Sequence, residues 1–279
     1  MRLRLAALAA LWLAVLVSAG CMQDDSPPPV AATTPTLERL RIIFPEGFTR
    51  KEMADRVDAV REIAIDKRGV TPRLTPTGYL EASGTAVPPA EFRKDWKLSS
   101  IEGFLFPATY EFTKLTSSAR LVRDQLTAFR RQWRKVDLRY ARSKNLTPYD
   151  VLIIASMVEK ETVAPSERPL VAAVIYNRLH NRMPLGIDAT IRYGRDVPGT
   201  EPLKQSDIES DSPYNTRKRL GLPPTPIANP GLASMRAAAR PARVGYLYFV
   251  RKPDGVHHFF TASESEFCQK SLEYGYGGC

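Results

Sequence analysis

The sequence predicts an α+β fold, a small N-terminal module followed by a mixed helix and strand domain organised around one buried helix. Three observations carry this. A strand, turn and helix signal runs from Leu40 to Glu52, a proline-initiated and almost wholly apolar helix follows Thr147, and short β-rich segments lie near Ile187–Tyr193, Tyr246–Val250 and His257–Thr261.

Ahead of the globular region, Arg2 and Arg4 precede an apolar run from Leu5 to Val17, the small residues Ser18, Ala19 and Gly20, and then Cys21. Residues 1–20 therefore have the layout of a secretory signal peptide, and the run is shorter than the roughly 20 apolar residues a membrane span needs. A cysteine after a small triplet resembles the lipobox of bacterial lipoproteins, which implies acylation of Cys21 and a firm membrane anchor. Ser18 stands where that pattern usually has Leu, so ordinary cleavage after Ala19 stays open. Residues 21–36 are rich in Asp, Pro, Ala and Thr, with Pro27, Pro28 and Pro29 in succession, and read as a tether. In an exported chain the remaining pair, Cys268 and Cys279, is expected to form a disulfide, with two free thiols as the alternative.

From Leu37 the composition turns globular. Leu40, Ile42, Ile43 and Phe44 read as a strand, Pro45, Glu46 and Gly47 as a turn, and Thr49 to Glu52 as a capping box opening a helix. Within residues 37–97 this strand, turn and helix resembles part of a LysM-like module, which implies either a glycan grip or a support module without a ligand. Gly69–Pro89, broken by proline, glycine and threonine, is expected to be mostly loop. Between Ser118 and Leu146 a long helical pattern places Leu121, Val122, Leu126, Phe129 and Trp133 on one face. Arg130, Arg131, Arg134, Lys135, Arg139 and Arg142 stand between them. That basic face is either a solvated surface or a contact for a polyanion or membrane. The net charge of +10 favours polyanionic partners. An export signal sets nucleic acid behind anionic lipid and acidic wall polymers, so no nucleic-acid partner is expected.

Thr147 and Pro148 form a strong helix start, and Asp150 sits near the positive end of the dipole. Val151, Leu152, Ile153, Ile154, Ala155, Met157 and Val158 then make the helix apolar on most of its circumference. At roughly 100° per residue, Val151, Ile154, Ala155 and Val158 form a stripe that Glu161 extends, whereas Ser156 and Lys160 mark a wetter side and Glu159 lies near the boundary. A carboxyl group held against apolar neighbours loses hydration of its charged form, so its pKa rises toward what a general acid needs. Spacing alone leaves a second reading open, in which Glu161 is neutralised by Arg168 or Arg178.

Seven segments resemble the endolytic murein transglycosylases of the MltG (YceG-like) family. They are IEGFLFPATYEF (Ile101–Phe112), IASMVEKET (Ile154–Thr162), SERPLVAAVIYNRL (Ser166–Leu179), PLGIDATIRYG (Pro184–Gly194), SPYNTRKRLGLPPTPIANPG (Ser212–Gly231), YLYFV (Tyr246–Val250) and HHFFT (His257–Thr261). They occur in family order across residues 98–279, which are identified on this basis as the catalytic domain. The resemblance implies one catalytic glutamate on a helix, followed by a small hydroxyl residue. On this chain those are Glu161 and Thr162, with Glu159 as runner-up. It also implies non-hydrolytic cleavage of the β-1,4 bond between N-acetylmuramic acid and N-acetylglucosamine, giving 1,6-anhydromuramyl ends, no cofactor, and membrane-bound peptidoglycan synthases as partners. Where the family motif carries Asp or Asn, this chain has Ala108, which removes one polar contact.

Ser212, Tyr214, Asn215 and Thr216 form a loop with hydrogen-bonding side chains and an aromatic face, suited to a sugar or to a structural turn. Glu102, Tyr110 and Asp188 are placed beside the substrate by motif, with Glu102 as a helix or turn cap in the alternative. His257 and His258 are adjacent on an expected strand and point to opposite faces, so no metal site is expected. The sequence thus leads to an exported, membrane-anchored transglycosylase acting on peptidoglycan strands outside the cytoplasmic membrane. The alternative is a non-catalytic peptidoglycan-binding scaffold.

Overall fold

The computed structural model describes residues 37–277, so the expectations for the leader, the tether, Cys21 and Cys279 lie outside the described residues. Cys268 is disulfide-bonded.

Helices and two small ribbons make up a mixed helix and strand architecture. The first ribbon pairs β1 (Leu40–Ile43) with β2 (Thr109–Phe112), antiparallel, with Leu40 opposite Phe112 and Ile43 opposite Thr109. Phe44 N–H donates to the Ala108 carbonyl at 3.0 Å and continues the pairing by one residue. The alternation in β1 is plain, with Ile42 buried and Ile43 58% exposed. The second ribbon pairs β3 (Tyr248–Arg251) with β4 (His258–Thr261). Two-stranded ribbons are marginal by themselves, so both depend on the helices beneath them.

Three helices accompany the first ribbon. Thr49 caps α1 (Arg50–Arg68) in the expected capping box with Glu52. The Gly69–Pro89 segment, expected to be loop, contains α2 (Pro76–Gly84), started by Thr75 as N-cap and Pro76 at its first position. That start signal outweighs the helix-weakening Gly78. α3 (Ser118–Trp133) packs against α2. The helix expected to run on to Leu146 stops at Trp133 and resumes as the short α4 (Arg139–Ser143). Asp137 accepts the Arg139 backbone N–H at 3.0 Å, a local bond that competes with helix continuation, and Asn145 turns the chain at φ 59°.

α5 (Pro148–Glu161) is the core helix. Thr147 and Asp150 form its capping box, and Val151 through Val158 are all buried. Ser156, expected on a wetter side, is fully buried. Its hydroxyl donates to Ile153 and accepts from Ile227 N–H at 3.0 Å. Large apolar side chains stabilise by about 1.5–3 kcal/mol each when buried, so this helix anchors the domain. Around it lie α6 (Arg168–His180), α7 (Asp188–Arg195) and α9 (Leu232–Ala239). The expected strand near Ile187–Tyr193 is α7. Thr190 and Ile191 alone in it are buried, and Thr190 Oγ1 donates to Ile187 O at 2.6 Å, as a first-turn helical residue does. α8 (Gln205–Ile208) and α10 (Glu264–Glu273) complete the chain.

Among the described residues no helix is long and apolar enough to cross a membrane. A cavity of about 790 Å³ opens at the N-terminal end of α5, lined by Tyr140, Lys144, Tyr149 and Tyr176 among others. Glu161 is at the other end of the helix.

Candidate active site

At the end of α5, three successive residues turn to three different neighbours because each is rotated about 100° from the last. Glu159, with a 5% exposed side chain, accepts the Gly231 N–H at 2.8 Å and pairs with Arg168 at 3.4 Å. Lys160 donates to the Gly47 carbonyl at 3.3 Å. Glu161 is partly buried beneath the N-terminus of α7, where the Ala189 N–H faces its carboxylate and favours the charged form. Thr162 folds back on the helix, both its N–H and its hydroxyl donating to Val158 O.

Burial pushes the Glu161 carboxyl up to about 7, and the negative charge of Asp188 pushes the same way. Arg251, the Ala189 N–H and Arg192 oppose this without overcoming it. The competing sequence reading gives a neutralising role to Arg168 or Arg178. Arg168 serves Glu159 and Ser234, and Arg178 donates to the carbonyls of Leu185 and Leu247. The guanidinium of Arg251 binds the Glu161 main-chain carbonyl at 3.1 Å and so ties β3 to the end of α5. Among the described residues the Glu161 carboxylate forms no ion pair within 4.0 Å. The site therefore presents a carboxyl group that is substantially protonated at neutral pH, next to a second carboxylate, Asp188.

The other sequence candidates divide. Asp188 stands beside Glu161, half exposed, and is bound by Arg217 at 2.8 Å. Thr216 is buried beneath it. Its hydroxyl accepts the Ile187 N–H at 3.0 Å and contacts Thr190 Oγ1 at 2.9 Å, so it fixes the start of α7. Asn215 is also fully buried, donating to the carbonyls of Ile208 and Ser210. Ser212 Oγ accepts the Tyr214 N–H, and Tyr214 bonds Thr225 and packs edge-on to Tyr193. In this loop Ser212 and Tyr214 keep partial exposure, whereas Asn215 and Thr216 hold the loop's shape. Tyr110 donates to Phe106 O and packs on Phe44, apart from the groups around Glu161.

Glu102 is buried and acts as a cap on α1, accepting the Arg50 N–H at 3.0 and 3.1 Å. Asn229 donates to it at 2.6 Å and Tyr193 at 3.4 Å. Burial still wins over these donors and lifts its carboxyl to about 7. α7 thus meets Glu161 through Ala189 and Glu102 through Tyr193.

Sequence reasoning passes over Asn229, Tyr193, Arg251 and the buried pair His258–Glu167, whose Nδ1 and carboxylate lie 2.7 Å apart. Asn229 and His258 stand within recognised segments, but their roles depend on contacts to residues 90 or more positions away.

A family model described as the YceG-like family matches residues 26–271. The chain belongs to the YceG-like family. It is 38% identical over 158 residues to an endolytic murein transglycosylase of Bacillus subtilis, covering 56% of this chain and 43% of that one. With an endolytic murein transglycosylase of Streptococcus pneumoniae the identity is 30% over 240 residues, covering 81% of this chain and 42% of the other. A crystal structure of a YceG-like protein from Listeria monocytogenes superposes with a TM-score of 0.63 at 28% identity, over 83% of this chain and 75% of that one. The chain spans less than half the length of the two named transglycosylases. Glu102, Glu159, Glu161, Asp188 and the Ser212–Thr216 loop all fall within the segment matched to the YceG-like family.

Proposed function

We propose that this chain cleaves peptidoglycan glycan strands as an endolytic lytic transglycosylase, with Glu161 as acid and then base. One observation carries the reading: at the end of the buried helix, the Glu161 carboxyl has no ion-pair partner within 4.0 Å among the described residues, and burial raises it to about 7, so a large fraction keeps its proton at neutral pH. Glu159, the runner-up, has both oxygens committed to Gly231 and Arg168, which favours a bracing role for it. The names of the relatives support the substrate class.

In the proposed step, the Glu161 proton passes to the oxygen linking N-acetylmuramic acid C1 to N-acetylglucosamine, and the C1–O bond breaks. The resulting carboxylate takes the proton of the muramyl C6 hydroxyl as that oxygen bonds to C1, closing a 1,6-anhydro ring and regenerating the acid. No water is consumed, so no second carboxylate is required to activate one. Burial, reinforced by Asp188, favours the protonated form of Glu161, and the partly exposed Ser212 and Tyr214 are the proposed sugar contacts. Because the reactive free enzyme carries the proton, kcat/KM is expected to fall as pH rises past about 7, approaching tenfold per unit. A rate rising through that range would remove Glu161 as the acid.

The setting proposed for this reaction is outside the cytoplasmic membrane, with acylated Cys21 as anchor, synthases of the wall as neighbours, and nascent strands as the molecules terminated. In this setting β1 and α1 belong to the LysM-like support. Digestion of purified peptidoglycan followed by mass spectrometry tests the core of the proposal. Anhydromuramyl ends support it, reducing ends overturn the non-hydrolytic step, and intact strands select the scaffold alternative.

A further inference from the structure

A dense excess of positive charge lies on α3 and the segment that follows it, on elements other than those that carry the carboxyl groups of the site. Residues 118–146 contain nine Lys and Arg against two Asp, a net +7 within a chain of net +10. Both acids are already engaged, Asp124 by Arg120 at 2.9 Å and Asp137 by Arg139 at 2.6 Å. The remaining cations include Arg123, Arg130, Arg131, Arg134, Lys135 and Arg142, all exposed and with no acidic partner within 4.0 Å among the described residues. On α3 and the turn that ends it, the first five fall within roughly 140° of arc at 100° per residue, opposite the buried Leu121, Val122, Leu126, Phe129 and Trp133. From Arg123 to Lys135 the row rises over twelve residues, about 18 Å.

Core packing requires the apolar face of α3 and leaves the opposite face unconstrained. A merely solvated face would be expected to interleave both signs of charge. Here Asp124 is the one acid on that arc, held by Arg120 four residues before it, and the net sign is strongly positive. No large hydrophobic residue is exposed between Leu115 and Val163, so the face is built for surface attraction without insertion. Guanidinium groups match phosphate oxygens in a two-pronged geometry, and a convex row suits a plane of mobile headgroups better than a threaded saccharide. Cys21, the residue expected to carry the lipid anchor, stands sixteen residues ahead of Leu37 in the sequence, which would keep a lipid bilayer within reach of the domain.

We propose that the outer face of α3, continued by Arg142, docks on the phosphates of an anionic phospholipid surface and orients the domain on the membrane. This contact is separate from the anchor and from the reaction proposed above. Each cation at such a surface multiplies partition by roughly fivefold, and the effect fades as salt screens it.

The test uses the full chain and its triple variant Arg130→Glu, Arg131→Glu and Arg134→Glu. Each is partitioned onto vesicles of phosphatidylcholine alone and of phosphatidylcholine mixed with phosphatidylglycerol, at low and high salt. Because both proteins retain the N-terminal segment, the ratio of the two partition coefficients isolates the face. The ratio is expected to drop at least a hundredfold in the variant and to collapse toward unity for the wild type at high salt, with unchanged thermal unfolding. A variant ratio within twofold of wild type overturns the proposal. Should the wild type show no preference for phosphatidylglycerol but bind a soluble acidic polysaccharide through the same arginines, the lipid assignment is overturned. Cleavage of soluble glycan by the variant is expected at the wild-type rate, so loss of docking and failure of the catalytic reading remain separable.

Discussion

Glu161→Gln is expected to reduce release of anhydromuramyl ends by about 10²–10⁴-fold, the range associated with a positioned proton donor, while the protein stays folded. Glutamine is nearly isosteric and its carbonyl oxygen can still face the Ala189 N–H. What it lacks is the transferable proton. The fold should tolerate the change because a buried, partly desolvated carboxyl stabilises little when ionised. The sign follows from the raised pKa. A carboxyl with a folded-state value near 7, against an ordinary 4.5, favours the fold fully below about 4.5, and this contribution is lost as pH rises through 7. Wild-type stability should therefore decline between those limits, with a slope shared by Glu102, and Glu161→Gln should flatten part of it. Muropeptide analysis and thermal unfolding across that range read the two effects independently. Wild-type turnover in the variant would dispose of the catalytic assignment, and Glu159→Gln, which disturbs Gly231 and Arg168, would lose stability along with activity.

Asn229→Ala should have the largest effect on stability. The Asn229 side-chain oxygen accepts from Gly103 and Leu105 N–H, both at 2.9 Å, and its amide donates to Phe48 O at 2.9 Å and to Glu102 at 2.6 Å. Alanine leaves two buried N–H groups without an acceptor and takes one donor from Glu102. Each unsatisfied buried group costs about 1–3 kcal/mol, so a loss on the order of 5 kcal/mol is expected. In a domain of this size that lowers Tm by roughly 10–20 °C. Asn229→Asp keeps the acceptor but sets a carboxyl against Glu102, so its deficit should grow with pH. A Tm within a few degrees of wild type for Asn229→Ala would show that the hub is dispensable.

The sequence made legible those features governed by neighbours along the chain. Thr49 and Thr147 announced their helices through capping, and the apolar stripe of α5 placed Glu161 on the buried side. Where competing local signals met, the reading failed. The proline start at Pro76 was hidden among loop-forming residues, and Ile187–Tyr193 was too short for its helical period to show against its β-branched content. Ser156 looked polar and therefore wet, yet its hydroxyl finds two partners in the interior. The Glu102 hub was beyond local inference because its donors come from Arg50, Tyr193 and Asn229, brought together by tertiary packing alone.

α7 carries this long-range organisation into the chemistry. From Ala189 to Tyr193 is about one turn of α7, roughly 6 Å of rise, so the backbone that faces the Glu161 carboxylate and the hydroxyl that binds Glu102 belong to one short, stiff rod. A rod of that kind pivots instead of bending. The seat of the proton donor is consequently gauged from a second buried carboxyl, where a capped helix start, an asparagine and a tyrosine set the level at which the acid rests.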